Sequence, residues 1–207
     1  MNTDTHLFLD INAFARATPW LHGIVWVYAN YGIVLFAALM LVGWWIARGR
    51  ANPTMMAAAL WAPLGMLLAL GVNQPISAMV GEPRPYTTLG NVLVLAHRSH
   101  DPSFPSDHAV MAGAVAAALF LVSRRLGWLA ALAAVVMAFS RVYIAAHYPQ
   151  DVAAGLAVGA VVSLLGFWLV RQMLVWLVQF AERTPLRLVL TTAPPPTAPT
   201  PAEPMAS

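Results

Sequence analysis

The chain has 207 residues, of which 60% are hydrophobic and 9% are charged, and it contains no cysteine. Soluble globular domains have roughly 45–50% apolar and about 25% charged residues, so this composition indicates an integral membrane protein of one domain. A disulfide, a thiolate metal site and a cysteine nucleophile are excluded.

The net charge of +3 comes from 11 arginines, because the chain has no lysine. The arginines are dispersed and lie mostly between apolar runs, which does not suit a nucleic-acid surface. We interpret them as signals of membrane topology and as part of an anion site. Residues 1–6 carry no basic segment, so we expect no cleaved signal peptide.

Before the first long apolar run, residues 7–17 form a short amphipathic stretch. It is too short to span a bilayer and predicts either a helix at the membrane interface or an ordinary packed helix. Five apolar runs then predict transmembrane helices, at residues 21–47, 54–80, 106–122, 126–144 and 149–178. We expect Pro63 and Pro75 to kink the second.

The predicted fold is therefore an all-α integral membrane protein, a bundle of about five transmembrane helices plus an N-terminal interfacial helix. Residues 1–190 form the membrane domain. Residues 191–207 are rich in Pro, Ala and Thr and are predicted to be a disordered tail.

Arginine placement predicts the orientation. Seven arginines fall on one side of the five spans, namely Arg48, Arg50, Arg124, Arg125, Arg171, Arg183 and Arg187. Four fall on the other side, namely Arg16, Arg84, Arg98 and Arg141. The positive-inside rule places the first set and the C-terminus in the cytoplasm.

Three polar clusters share the predicted outer face, at residues 82–86, 103–108 and 140–151. Ionisable groups beside apolar spans are costly and mark functional sites. Taken alone, each cluster has an ordinary interpretation as a loop, a helix start or a coincidence. All three at one face predict a single site.

The residue types in these clusters suit the binding of a phosphate group. Arg84 and Arg141 can each bind phosphate oxygens with two N–H groups. Ser106 is a good N-cap, and the backbone N–H groups of Ser106, Asp107 and His108 at the start of a helix predict an anion site.

Two histidines and a carboxylate supply the chemistry. A neutral His147 can attack phosphorus, and Asp151 can accept the hydrogen bond from its other ring nitrogen. His108 can protonate the leaving oxygen and then activate water. We therefore predict that His147, His108 and Asp151 are catalytic.

The three clusters resemble the signature motifs of the type 2 phosphatidic acid phosphatase superfamily of membrane phosphatases. Those motifs read Lys-x6-Arg-Pro, Pro-Ser-Gly-His and Ser-Arg-x5-His-x3-Asp. Arg84 and Pro85 match the end of the first motif, residues 105–108 match the second with one change, and residues 140–151 match the third.

The resemblance implies a metal-independent phosphatase without a cofactor, which forms a phosphohistidine on His147. It assigns phosphate binding to Arg84, Ser106 and Arg141. We include Ser140 and Asp107, the neighbours within the motifs, among the candidate phosphate-binding residues.

The chain departs from the family pattern at two positions. Ser77 stands where the first motif has lysine, and Asn73 or Gln74 at the same helix end are candidates to replace that contact. Asp107 stands where the second motif has glycine. The segment at residues 101–109, together with Asn73 and Gln74, resembles the corresponding sequence of one branch of the family. That branch dephosphorylates undecaprenyl diphosphate.

Two further residues are possible members of the site. Glu82 could orient Arg84, although an exposed loop carboxylate is an equal interpretation. His97 is either an ordinary loop histidine or a contact to the second phosphate of a diphosphate.

The predicted function is hydrolysis of undecaprenyl diphosphate, the bacterial cell-wall lipid carrier, to undecaprenyl phosphate at the outer face of the plasma membrane. The partners implied are this polyprenyl diphosphate and membrane lipids, with no nucleic acid, and the oligomeric state is open. A phosphatidic acid or phosphatidylglycerophosphate phosphatase shares all the motifs. A permease for a phosphorylated lipid is an alternative of another class, because intramembrane proline, Asn73 and Gln74 suit broken helices.

Overall fold

The computed structural model describes residues 3–192, which form an α-helical bundle. Its α-helices are α1 (Thr3–Ala17), α2 (His22–Tyr31), α3 (Ile33–Arg50), α4 (Pro53–Val80), α5 (Pro85–Thr88), α6 (Asp107–Val122), α7 (Arg124–Tyr143), α8 (Pro149–Ala181) and α9 (Arg187–Leu190). Among these residues no β-strand occurs. The predicted all-α class is confirmed.

Four segments are long and apolar enough to cross a membrane, namely Ile33–Arg50, Pro53–Thr88, Arg124–Tyr143 and Pro149–Ala181. Helix α6 is apolar but has only 16 residues, a length of about 24 Å. It lies in the middle of the bundle, in contact with α3, α4, α7 and α8. We count α6 as the fifth span, so the protein is a multi-pass membrane protein.

The first predicted span is wrong in its limits, because the chain breaks at Gly32 into α2 and α3. A Cβ at Gly32 would lie 2.5 Å from the carbonyl oxygen of Tyr28 and 2.7 Å from the terminal methyl carbon Cε of Met137 in α7. Glycine also weakens a helix. As a result, α3 alone is long enough to span, and α2 packs separately against α7. By contrast, α4 continues as one helix through Pro63 and Pro75.

Glycines bring α6 and α8 unusually close together. A Cβ at Gly159 would overlap the carbonyl oxygen of Val110, and a Cβ at Gly113 would overlap that of Leu156. The two helices also begin side by side, since the N–H of Ser106 donates to the carbonyl oxygen of Asp151 at 3.1 Å. The helix starts that carry two of the predicted catalytic residues are therefore adjacent.

Helix α1 packs against α7 and α8 and buries Phe8 and Asn12. The side chain of Asn12 makes two hydrogen bonds to the backbone of Leu93, one at 2.8 Å and one at 3.0 Å. Asp4 accepts a hydrogen bond from the N–H of Gln150 in the first turn of α8, at 2.8 Å. This helix thus fixes both the segment between α5 and α6 and the start of α8.

The C-terminal part of the described chain returns to α3. Both Nε and an Nη of Arg48 donate to the carbonyl oxygen of Leu188, at 2.9 and 2.7 Å. The N–H of Thr192 donates to the carbonyl oxygen of Arg48 at 3.2 Å. The predicted tail otherwise lies outside the described residues.

Candidate active site

A cavity of about 490 Å³ opens at the end of the bundle where α6 and α8 begin and α7 ends. Its wall includes Arg84, His108, Arg141 and His147. The three sequence clusters, which are far apart along the chain, therefore meet in one place.

His147 lies in the short turn between α7 and α8 and is 3% exposed. Its Nδ1 is 2.8 Å from the carbonyl oxygen of Ser103. Since a carbonyl only accepts hydrogen bonds, Nδ1 carries the proton and Nε2 keeps its lone pair. Burial, followed by the charges of Arg141 and Arg84, lowers the pKa of His147 well below its usual value. The imidazole is therefore neutral and nucleophilic at physiological pH.

Asp151 does not accept the hydrogen bond that the sequence led us to expect. Its Oδ2 is 3.7 Å from Nδ1 of His147, which is beyond hydrogen-bond distance. This oxygen instead accepts hydrogen bonds from the hydroxyl of Ser103 at 2.5 Å and the N–H of Tyr148 at 2.7 Å. Asp151 thus orients the histidine through Ser103, a residue of the second cluster to which the sequence assigned no role.

Backbone carbonyls hold the two arginines. Nε of Arg84 donates to the carbonyl oxygen of Asp101, and an Nη donates to that of Ala146, both at 3.0 Å. An Nη of Arg141 donates to the carbonyl oxygen of Ala29 at 3.1 Å, and its buried Nε has no partner. Within residues 3–192 neither guanidinium forms an ion pair with a carboxylate. Both positive charges therefore remain available to an anion.

The start of α6 differs from the expected anion site at one position. The N–H of Ser106 is used by the carbonyl oxygen of Asp151, and its hydroxyl is fully buried without a partner. Ser106 therefore joins α6 to α8 and does not line the cavity. The N–H groups of Asp107 and His108 occupy the first turn, where a helix leaves its N–H groups without helical partners.

Asn73 and Gln74 bind Asp107. The amide of Asn73 donates to Oδ1 of Asp107 at 2.7 Å and to the carbonyl oxygen of Pro105 at 3.2 Å. The amide of Gln74 is 3.3 Å from the same carboxylate oxygen. These amides therefore supply hydrogen bonds to the extra carboxylate of the second motif. Gln74 also lines the cavity, so the replacement of the missing lysine contact stays a prediction.

The remaining candidates occupy different surroundings. Ser77 and His97 line the cavity. Ser140 is 2% exposed and donates its hydroxyl to the carbonyl oxygen of Met137 at 2.7 Å, so the structure places it away from the cavity. Glu82 does not contact Arg84 through its carboxylate, which accepts a hydrogen bond from Gln150 at 3.0 Å.

The model of the PAP2 superfamily matches residues 58–174, more than half of the chain. The chain belongs to the PAP2 superfamily. The match covers all three clusters, so the family resemblance drawn from the motifs is confirmed.

Curated relatives include the bacitracin transport permease protein BcrC of Bacillus licheniformis, 32% identical over 81% of this chain and 80% of the relative. The undecaprenyl-diphosphatase BcrC of Bacillus subtilis is 29% identical over 78% of this chain and 81% of the relative. A lipid A 1-phosphatase of Rhizobium johnstonii is 46% identical, but over 30% of this chain and 26% of the relative.

Two solved structures share the fold. The crystal structure of Aquifex aeolicus LpxE superposes with a TM-score of 0.63 at 24% identity, covering 80% of this chain and 94% of the other. A phosphatidylglycerolphosphate phosphatase from Bacillus subtilis gives a TM-score of 0.61 at 23% identity, covering 80% and 85%. The helical arrangement is thus that of the transmembrane members of the superfamily.

Proposed function

We propose that this protein is a membrane lipid-diphosphate phosphatase that hydrolyses undecaprenyl diphosphate to undecaprenyl phosphate and inorganic phosphate. The observation that carries the proposal is His147 in the cavity wall, with its Nδ1 proton held by the carbonyl of Ser103 at 2.8 Å. Beside it lie two arginines that have no carboxylate partner among residues 3–192. The choice of lipid rests on the relatives named as undecaprenyl-diphosphatases, which match most of the chain.

The first step is transfer of the terminal phosphoryl group. Arg84 and Arg141 bind its oxygens, and Nε2 of His147 attacks the phosphorus. A P–N bond forms, and the bond from phosphorus to the bridging oxygen breaks. His108 donates a proton to that oxygen, so undecaprenyl phosphate leaves.

The second step regenerates the enzyme. His108, now neutral, accepts a proton from a water molecule, whose oxygen attacks the phosphohistidine. The P–N bond breaks and inorganic phosphate leaves. Throughout both steps Nδ1–H of His147 stays on the carbonyl oxygen of Ser103. The arginines stabilise the negative charge on the equatorial oxygens. No metal ion and no cofactor takes part in this scheme.

The proposed orientation puts the cavity on the outer face of the bacterial plasma membrane and the C-terminus in the cytoplasm. Arg48 and Arg50 at the end of α3 and Arg124 and Arg125 at the start of α7 lie at the end of the bundle opposite His147. By the positive-inside rule this basic end faces the cytoplasm. The lipid tail then stays in the bilayer while its headgroup enters the cavity.

Two alternatives are favoured by particular relatives. The matches to lipid A 1-phosphatases favour hydrolysis of another membrane lipid phosphate. The name of the Bacillus licheniformis relative, a transport permease, favours a permease. A permease moves its lipid without cleaving it, so phosphate release separates the two classes.

The test is release of phosphate from undecaprenyl diphosphate by the purified protein in detergent, compared with phosphatidylglycerophosphate and with EDTA present. We expect higher turnover of the diphosphate, no effect of EDTA and no turnover by His147→Ala. Loss of activity in EDTA would contradict the metal-free scheme. Normal turnover by His147→Ala would contradict the nucleophile, and transport without phosphate release would contradict the enzyme.

A further inference from the structure

The cavity extends beyond the groups that the proposed reaction uses. On the side of α2 it is lined by Asn30 and His97, neither of which belongs to any of the three motifs. We propose that Asn30 and His97 form a second subsite, which binds the lipid-linked phosphate of a diphosphate and makes the enzyme prefer diphosphates to monophosphates. This inference rests on the proposed function.

Arg141 fixes the position of Asn30. The guanidinium of Arg141 donates to the carbonyl oxygen of Ala29 at 3.1 Å, so the next residue, Asn30, lies beside the phosphate-binding arginine. The amide of Asn30 donates to the carbonyl oxygen of Trp26 at 2.7 Å. An amide nitrogen carries two protons, so the second N–H is left for a ligand.

His97 is fixed to the catalytic turn by the backbone. The N–H groups of Leu95 and Ala96 both donate to the carbonyl oxygen of Ile144, at 3.2 and 2.9 Å. The ring of His97 packs edge-on against Trp26, with centroids 5.6 Å apart. No described residue forms a hydrogen bond with the ring nitrogens of His97, so its N–H is available to the cavity.

A diphosphate needs a group in the cavity that binds its second phosphate. In an in-line displacement the leaving group lies on the side of the phosphorus away from the nucleophile. When a diphosphate reacts at His147, this leaving group is a second phosphate that remains attached to the tail. Arg84 and Arg141 are used by the terminal phosphate. The donors of Asn30 and His97, on the α2 side, are among the cavity groups left for the second phosphate.

The exposed surface of α2 beside Asn30 is consistent with a lipid tail that leaves the cavity on this side. Helix α2, which carries Asn30, also exposes Val27 and Tyr31, which are 53% and 59% accessible. An exposed valine suits contact with hydrocarbon, and an exposed tyrosine suits the headgroup level of the bilayer. A diphosphate can therefore reach from His147 past Asn30 to the bilayer, whereas a monophosphate leaves the second subsite empty.

The test compares farnesyl diphosphate with farnesyl monophosphate, which share one tail and differ by one phosphate. Initial rates of phosphate release by the full-length protein in detergent give kcat/KM for wild type, Asn30→Ala and His97→Ala. We expect each variant to lose about 10- to 100-fold on the diphosphate, the range for a hydrogen bond to a charged group, and less than about twofold on the monophosphate. His100→Ala is the matched control, because His100 lies in the same segment but lines a separate depression.

A second readout needs no turnover. In a His147→Ala background, which cannot form the phosphohistidine, calorimetry measures the affinity for pyrophosphate and for phosphate. Adding His97→Ala should weaken the binding of pyrophosphate and leave the binding of phosphate unchanged. The proposed subsite would be contradicted if the variants lost equal activity on the diphosphate and the monophosphate, or if they lost activity on neither. Wild-type protein that cleaves only the monophosphate would overturn the proposed substrate, and tighter binding of pyrophosphate that depends on His97 would still support the subsite.

Discussion

Ser103 contacts the ring of His147 with its carbonyl oxygen and the carboxylate of Asp151 with its hydroxyl. Its carbonyl oxygen is 2.8 Å from Nδ1 of His147, and its hydroxyl is 2.5 Å from Oδ2 of Asp151. Its N–H donates to the carbonyl oxygen of Glu82 at 2.7 Å, which fixes the backbone of Ser103. The orientation of the His147 imidazole therefore depends on the backbone between α5 and α6, and Asp151 acts on it through Ser103.

Replacing Ser103 by alanine keeps the carbonyl that binds Nδ1 but removes the hydroxyl that binds Asp151. We expect kcat to fall about 10- to 100-fold, because a hydrogen bond to a charged group is worth about 1.5–3 kcal/mol, with little change in KM. Phosphate-release kinetics measure this split. Ser163→Ala in α8 is the control, since that serine is also fully buried and its hydroxyl has no partner. A similar loss of kcat in the control would contradict the assignment.

Asp151→Asn tests whether the carboxylate acts directly or through Ser103. Since the carbonyl of Ser103 selects the tautomer of His147, the variant should keep the correct tautomer and lose only the charge that stabilises the imidazolium. We expect kcat to fall about 10- to 100-fold. A direct carboxylate partner gives a loss of about 10⁴-fold in the Ser-His-Asp triad, where the tautomer changes. A loss of that size here would contradict the indirect arrangement.

The helices and the gathering of the three clusters could be predicted from the sequence. Apolar runs of the length of α4 and α8 have few alternatives, and short connections between spans place alternate ends on one face. Arg84, Arg141 and His147 were found because charged and ionisable groups are costly beside apolar segments.

Ser103, Ser106 and Gly32 could not be predicted in this way. A serine in a loop carries no periodic signal, and the role of Ser103 depends on two backbone contacts between residues far apart in the sequence. Helix α6 begins after Ser106 as predicted, but the hydroxyl of Ser106 makes no capping hydrogen bond. Its N–H is used by α8, which no local pattern reveals. A single glycine weakens a helix but does not by itself predict the break at Gly32.

The pair Asn73 and Asp107 gives a prediction about stability. Asn73→Asp would place two carboxylates where the amide nitrogen and Oδ1 are now 2.7 Å apart, with residue 73 fully buried. We expect a loss of about 2–5 kcal/mol in the free energy of unfolding, together with loss of activity. Thermal unfolding in detergent measures the first and phosphate release the second.

Adding Asp107→Asn to Asn73→Asp restores an amide opposite a carboxylate. The double variant should recover at least about 1 kcal/mol relative to the sum of the single changes, which is the range for residues in direct contact. Gln74→Glu is the matched control, because its amide is exposed and 3.3 Å from the same oxygen. Additive effects of the two changes would show that the pair is not coupled.

The buried, neutral state of His147 predicts how stability depends on pH. Burial and the nearby arginines make the pKa of His147 in the folded protein lower than in the unfolded chain, where it is about 6.5. Below pH ~6.5 the unfolded state binds a proton that the folded state does not, so the free energy of unfolding decreases as the pH falls. The contribution of this single group is at most about 1.4 kcal/mol per pH unit. It continues until the folded pKa is reached and is absent above pH ~7.5.

His147→Asn keeps a donor for Ser103 but cannot titrate. We therefore expect the wild type to lose thermal stability relative to His147→Asn as the pH falls from about 6.5 to about 5. Above pH ~7.5 the difference in stability between the two proteins should be constant. A difference that does not vary with pH would show that the pKa of His147 is not lowered.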